Sequence, residues 1–195
     1  MTEHDTHGIV GLDQGFWDEL YRADDQIWSG RPNDAVVAEI AGLTPGRALD
    51  VGCGEGGDAR WLAARGWRVT AVDISRVALA RAAALADDTG ITWRHLDLVA
   101  EAPEVSGYDL VSAQYFVFPR ACEQVLERVL AAVAPGGTLL VTSHAGMGDR
   151  HAGYRPDEIA ARLDGTWEVV VDETRPRAHP ANGHVDDVVL RARKR

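Results

Sequence analysis

Residues 48–75 read ALDVGCGEGGDARWLAARGWRVTAVDIS and hold the chain's densest chemistry. Glycines at 52, 54 and 57 satisfy G-x-G-x-x-G between an apolar run and a helical pattern. Without side chains, such positions let the backbone come close to a ligand. The spacing suits a dinucleotide loop but does not by itself select the ligand. The sequence has no G-x-x-x-x-G-K-[ST], so a triphosphate loop is disfavoured. Asp50 stands two residues ahead of the first glycine, where a carboxylate repels pyrophosphate and attracts an ammonium group. A second carboxylate, Asp73, closes the next apolar run.

These residues need a scaffold that brings several strand ends together. From residue 47 onward the pattern alternates strand and helix. RALDVG, RVTAVDIS, ITWRHLDL, YDLVSAQYFV and TLLVTSH read as five strands, mostly continuous apolar runs of the kind buried on both faces. GDARWLAARG is a helix ending at Gly66, and Ser75 is an N-cap for an alanine-rich helix ending near Gly90. RACEQVLERVLAAVAPGG is an amphipathic helix stopped by Pro135 and two glycines. RPDEIAARLD is a helix with proline in its first turn. TWEVVVDET and HVDDVVLRARK then follow with no helix between them; RPRAHPANG is read as a loop, so the two strands pair antiparallel. Such a hairpin is foreign to the usual all-parallel dinucleotide sheet. The expected fold is α/β: a Rossmann-like, doubly wound, mostly parallel seven-stranded sheet with a C-terminal antiparallel hairpin. GFWDELYRA and NDAVVAEIAGL supply an N-terminal helical cap, with residues 1–44 as cap or lid and 45–195 as the core of one structural domain.

With LDVGCGEGGDA, VTAVDIS, HLDL, YDLV, APGG and the final hairpin in place, residues 15–192 resemble the class I S-adenosylmethionine-dependent methyltransferases. Within that class the chain is similar to the small-molecule group related to tellurite-resistance and thiopurine enzymes. The resemblance implies S-adenosylmethionine as cofactor: a sulfonium, an amino-acid end, a ribose diol and an adenine, with no phosphate. It places the backbone of Gly52, Cys53 and Gly54 beside the amino-acid end and ribose, with Asp50 supporting the amino group. Asp73 takes both ribose hydroxyls, Ile74 offers an apolar face to adenine, Asp97 accepts from the exocyclic amine, and Leu98 presents its backbone N–H to a ring nitrogen. It makes DDQIWSGRPN a lid, with Trp28 as an aromatic surface on the sulfonium side or a staple for the following helix, and Arg31 as a carboxylate partner.

On the acceptor side the candidates are Gln114 and Tyr115 after the fourth strand and His144 at the end of the fifth, with Gln114 also assigned to the cofactor. Related enzymes often carry a histidine soon after the fourth strand; here that stretch runs through Phe116, Val117 and Phe118. His144 either replaces it or caps a strand. His144 and His151 lack a third ligand at a convincing spacing, so no metal is expected. Methyl transfer is an in-line displacement that alignment and exclusion of water can drive. A thiolate needs no strong base, whereas an alcohol or phenol does.

Thirty acids against twenty bases in 195 residues give a formal charge of −10, a field that disfavours nucleic acid. The terminal RARKR is read as a solvated tail. The start, MTEHDTHGIVG, has neither a basic nor an apolar region of a secretory signal, and no apolar run approaches the ~20 residues of a membrane span. Cys53 and Cys122 suit reduced thiols in the cytoplasm. The reading is therefore a methyltransferase for a small molecule: a thiol, chalcogen, heterocycle or hydroxyl. The alternatives are an NAD(P)-dependent oxidoreductase and a non-catalytic S-adenosylmethionine-binding module.

Overall fold

The structure, a computed structural model, describes residues 13–86, 90–146, 153–181 and 184–195. Helices α1 (Gln14–Ala23) and α2 (Asp34–Ile40) precede β1 (Arg47–Val51). Helix α3 (Gly57–Ala63), β2 (Arg68–Asp73), α4 (Arg76–Ala84) and β3 (Ile91–His95) follow in alternation. Next come β4 (Tyr108–Gln114), a short β5 (Phe118–Pro119), α5 (Glu123–Ala132) and β6 (Val133–His144). The chain ends with β7 (Gly153–Tyr154), α6 (Pro156–Ala160), β8 (Trp167–Ala181) and β9 (His184–Lys194).

Seven strands make one sheet in the order β3-β2-β1-β4-β6-β9-β8, and β5 pairs separately with β7. The first five are parallel, and β9 runs antiparallel to both β6 and β8. Strand order reverses between β1 and β4, which opens a crevice at their carboxyl ends, where ligands of such sheets bind. Alternation along each strand divides the core. Leu49, Val51, Val111, Leu139 and Val141 pack with Val125 and Val129 of α5 and Ile159 of α6. Ala48, Leu110 and Leu140 pack on the other face with Val36 and Ile40 of α2 and Leu62 of α3. Helix α2 thus lies on a sheet face. Helix α1 sits at the strand ends, where its Asp18 accepts from Ser75 Oγ at 2.7 Å and from Val77 N–H at 3.2 Å. Ser75 also caps α4 through Ala78 N–H.

Five local readings change. β4 ends at Gln114 because Tyr115 turns with φ 55°, so Phe116 and Val117 leave the sheet. Helix α5 stops at Ala132, before the proline, because Val133 already pairs with Tyr108. The join RPRAHPANG is largely strand, since β8 runs on to Ala181. It can do so because β8 is a sheet edge, where a proline's missing N–H faces away from any ladder. The basic end is not a solvated tail: β9 continues to Lys194, Arg191 pairs with Glu39, and Lys194 Nζ donates to the Val133 carbonyl at 2.9 Å. The alanine-rich helix closes at Ala84, not near Gly90; residues 87–89 lie outside the described residues, as do the first twelve and His151.

Candidate functional site

The turn after β1 crosses the switch point. Gly52 and Cys53 N–H both donate to the Val72 carbonyl, at 2.9 and 3.0 Å, tying the turn to the end of β2. Gly54 N–H donates to Asp73 Oδ2 at 2.8 Å, and Ser75 N–H donates to Oδ1 at 2.8 Å. Each Asp73 oxygen keeps a further lone pair for a hydroxyl. Burial raises the Asp73 carboxyl above its ordinary range, and the N–H groups of Ser75, Gly54 and Ile74 partly oppose it. Gly54 adopts φ 52°, and a Cβ there would stand 2.8 Å from Tyr21 Oη and 3.5 Å from the Trp28 ring. Both its conformation and its ceiling require glycine.

Asp50 is 2% exposed, and its Oδ2 has no hydrogen-bond partner among the described residues. Burial, followed by the charges of Asp58 and Asp73, holds its carboxyl well above the usual range. Gln114, at the end of the neighbouring strand β4, donates Nε2 to Ser112 Oγ at 3.0 Å. Its buried Oε1 likewise has no partner among the described residues. Two buried acceptors without donors, flanking the switch point, suit a ligand rich in N–H. The Cys53 thiol is pushed up by burial and then by the Asp50 and Asp73 charges, which makes it a poor nucleophile.

The segment 24–33 closes on this turn. The buried Glu55 carboxylate accepts from Ile27 N–H at 3.2 Å and Trp28 N–H at 2.9 Å and pairs with Arg81 at 3.1 Å. Trp28 Nε1 donates to Tyr21 Oη at 3.0 Å, which holds the indole beside Gly54. Asp58 receives Asn33 N–H and Nδ2, both at 2.7 Å. The Arg31 side chain is exposed and lines a cavity of about 490 Å³ with Val37, Pro176 and His179, on the α2–β8 side. Its carbonyl instead meets the glycine turn, 2.6 Å from where a Cβ of Gly57 would stand.

Beyond β2, Ile74 is half-buried, and Asp97 is half-buried with Oδ1 accepting from Val99 N–H at 2.8 Å. Leu98 is buried, its carbonyl taken by Arg128 at 2.7 Å. Where β4 and β6 end, the Tyr115 and His144 rings lie 4.3 Å apart. Tyr115 Oη donates to Asp187 Oδ2 at 2.8 Å, and the Arg177 guanidinium stands 5.3 Å from the Tyr115 ring centre. Burial first, and then Asp187, push the Tyr115 phenol above its ordinary range.

The structure therefore gathers Asp50, Gly52, Cys53, Gly54, Asp73 and Trp28 around one turn, and Tyr115 and His144 at one rim. Sequence reasoning missed Tyr21 and Glu55, whose types gave no signal, and Arg177 and Asp187, which reach the rim only through the hairpin. It also missed Phe116, whose ring would lie 2.8 Å from a Cβ on Gly52.

A family model described as "Methyltransferase domain" matches residues 48–137. An uncharacterised methyltransferase of Mycobacterium tuberculosis is 34% identical over 152 residues, 74% of this chain and 77% of the relative. The 2-heptyl-1-hydroxyquinolin-4(1H)-one methyltransferase of Mycobacteroides abscessus is 31% identical over 123 residues, 58% of this chain and 54% of that one. In fold, the chain is similar to the N-methyltransferase NodS of Bradyrhizobium japonicum in complex with S-adenosyl-L-homocysteine. That match has a TM-score of 0.72 at 20% identity, over 90% of this chain and 95% of the other.

Proposed function

Because this chain belongs to the class I S-adenosylmethionine-dependent methyltransferases, we propose that its methyl acceptor is a small molecule. When bound, S-adenosylmethionine supplies a methyl group carried on a sulfonium leaving group. In this reading the unpartnered oxygens of Asp50 and Gln114 receive the ammonium of its amino-acid end. The remaining lone pairs of Asp73 take the ribose diol, Ile74, Asp97 and Leu98 border the adenine, and Trp28 with Tyr21 covers the turn. Arg31 acts through its carbonyl in positioning the cover, not as a carboxylate partner.

The observation that carries the small-molecule reading is the acceptor rim. It is built from the single side chains Gln114, Tyr115 and His144 and is bounded by Arg177 and Asp187 of the hairpin. The formal charge of −10 opposes a nucleic-acid acceptor. The quinolone enzyme of Mycobacteroides abscessus, by its name, acts on a small heterocycle, which supports the same class. The chain's own contribution is alignment and water exclusion, worth roughly 7–11 kcal/mol when geometry is good. Both cysteines are free thiols, in keeping with a reducing compartment such as the cytoplasm. No helix among the described residues is long and apolar enough to cross a membrane.

The test pairs calorimetric titration with S-adenosylhomocysteine and NAD with a labelled methyl donor offered to thiol, selenite, tellurite, phenol and N-hydroxy-heterocycle acceptors. Label in a small product is expected. Binding of the homocysteine with no transfer to any acceptor would favour a silent module.

A further inference from the structure

Four side chains from four parts of the chain meet beside the end of β6. His144 closes that strand, Tyr115 follows β4, Arg177 comes from β8, and Asp187 lies on β9 opposite His144. His144 Nδ1 is 3.0 Å from Arg177 Nη1 and 3.4 Å from Asp187 Oδ1. One nitrogen cannot serve both contacts. A guanidinium is always charged and only donates, so its contact requires a lone pair on Nδ1. The Asp187 contact would require a proton on that same atom. Arg177 is the nearer of the two, and Asp187 is otherwise engaged: Oδ2 accepts Tyr115 O–H at 2.8 Å and faces Arg177 Nε at 3.7 Å.

We propose that Arg177 fixes His144 as the Nε2–H tautomer, so that His144 is not the base and the acceptor arrives already ionised, as a thiolate or an acidic hydroxyl. The acceptor half rests on the methyltransferase reading; the tautomer half does not. The charged and titratable groups facing His144 include Tyr115, Arg177 and Asp187, with Asp34 of α2 acting on Tyr115 through space. Asp187 accepts the Tyr115 O–H and faces Arg177, and Gln114 does not titrate. Protonating His144 at Nδ1 would break its contact with a cation. What the rim offers instead is positive charge, because the guanidinium lies on the same rings. An anion finds a counter-charge, and its nucleophilic lone pair is already free. Arg177 is a positioning residue that acts through the imidazole.

Long-range proton–nitrogen correlation on the full protein with labelled histidine reads the tautomer directly, with His144 assigned by loss of its signals in His144→Gln. We expect an unprotonated Nδ1 and a protonated Nε2; a protonated Nδ1 in the wild type overturns the proposal. Arg177→Met should move the proton to Nδ1, facing Asp187, and raise the ring's titration midpoint by about one unit or more. Arg177→Lys should keep the wild-type state, which also decides the matter should the methionine variant not fold. For the acceptor half, the S-adenosylhomocysteine complex is titrated with 4-nitrophenol above and below its ionisation. A preference of about tenfold or more for the phenolate, lost in Arg177→Met, is expected from one charge-assisted contact. Equal affinity for both forms, or binding of neither, refutes it. Failure to bind S-adenosylhomocysteine would instead strike the methyltransferase reading and leave the tautomer result standing.

Discussion

Asp50→Asn separates stability from binding at one atom. Asp50 is 2% exposed, its Oδ2 meets no donor among the described residues, and burial with the Asp58 and Asp73 charges holds its carboxyl well above the ordinary range. An acid whose pKa is raised on folding contributes stability that is complete below its unfolded value, here 3.8, and is lost as pH rises through the folded value. The isosteric amide is neutral at every pH and so escapes that loss. The thermal midpoint of the ligand-free variant should not fall, and its stability should decline less between acid and neutral pH. Binding should respond in the opposite direction. Loss of a buried charge-assisted hydrogen bond to an ammonium costs about 1.5–3 kcal/mol, or about 10–150-fold in Kd. Calorimetric titration with S-adenosylhomocysteine and thermal unfolding of the same samples read the two effects. A midpoint lowered by about 4 °C, equivalent to roughly 1–2 kcal/mol at this size, with Kd unchanged would make Asp50 a purely structural group and place the ligand's amino group elsewhere.

Three further changes probe the turn and its cover. Asp73→Ala should weaken S-adenosylhomocysteine binding and also destabilise the protein, because the N–H groups of Gly54 and Ser75 lose their acceptors; at about 1–3 kcal/mol for each, urea denaturation should show a loss of about 2–6 kcal/mol. Gly57→Ala puts a methyl 2.6 Å from the Arg31 carbonyl; it should cost about 1–3 kcal/mol in the same assay by pushing the covering segment off α3, and an unchanged midpoint would refute that contact. Glu55→Ala removes the acceptor of Ile27 and Trp28 N–H and takes the carboxylate from Arg81; trypsin should then cut more rapidly after Arg22, and unaltered cleavage would show that the segment is held by other contacts.

The alternation of apolar runs with helical patterns was enough to yield the sheet, because strands buried on both faces have to be apolar throughout. Ser75 was legible as a cap for a similar reason: an N-cap is a local device, and its hydroxyl finds Ala78 N–H three residues on. The long hairpin was only half legible. Pro176 and Pro180 look like loop residues in isolation, and only the position of β8 at the sheet edge makes a strand proline acceptable there. Basic residues at the chain end look solvated until β9 brings Arg191 to Glu39 and Lys194 to the Val133 carbonyl.

The site divides along the same line. Asp50, Gly54 and Asp73 lie within one strand-turn-helix-strand unit, so their spacing carried the geometry before any fold was known. The acceptor rim has no such local signature. Tyr115 and Asp187 are 72 residues apart, and Arg177 and His144 are 33 apart; only the antiparallel register His144↔Asp187 makes them neighbours. Tyr115 also stands at φ 55°, a conformation that costs a side chain energy and that its residue type does not advertise. On the proposed reading, the donor half of the reaction is thus written in contiguous sequence, whereas the acceptor half is written in the hairpin's register. A one-residue slip of β9 would turn Asp187 to the opposite face and release Arg177 and Tyr115 together, while leaving the turn after β1 untouched. On the proposed reading, acceptor choice would therefore depend on the hairpin's register, which changes in the glycine loop would leave in place.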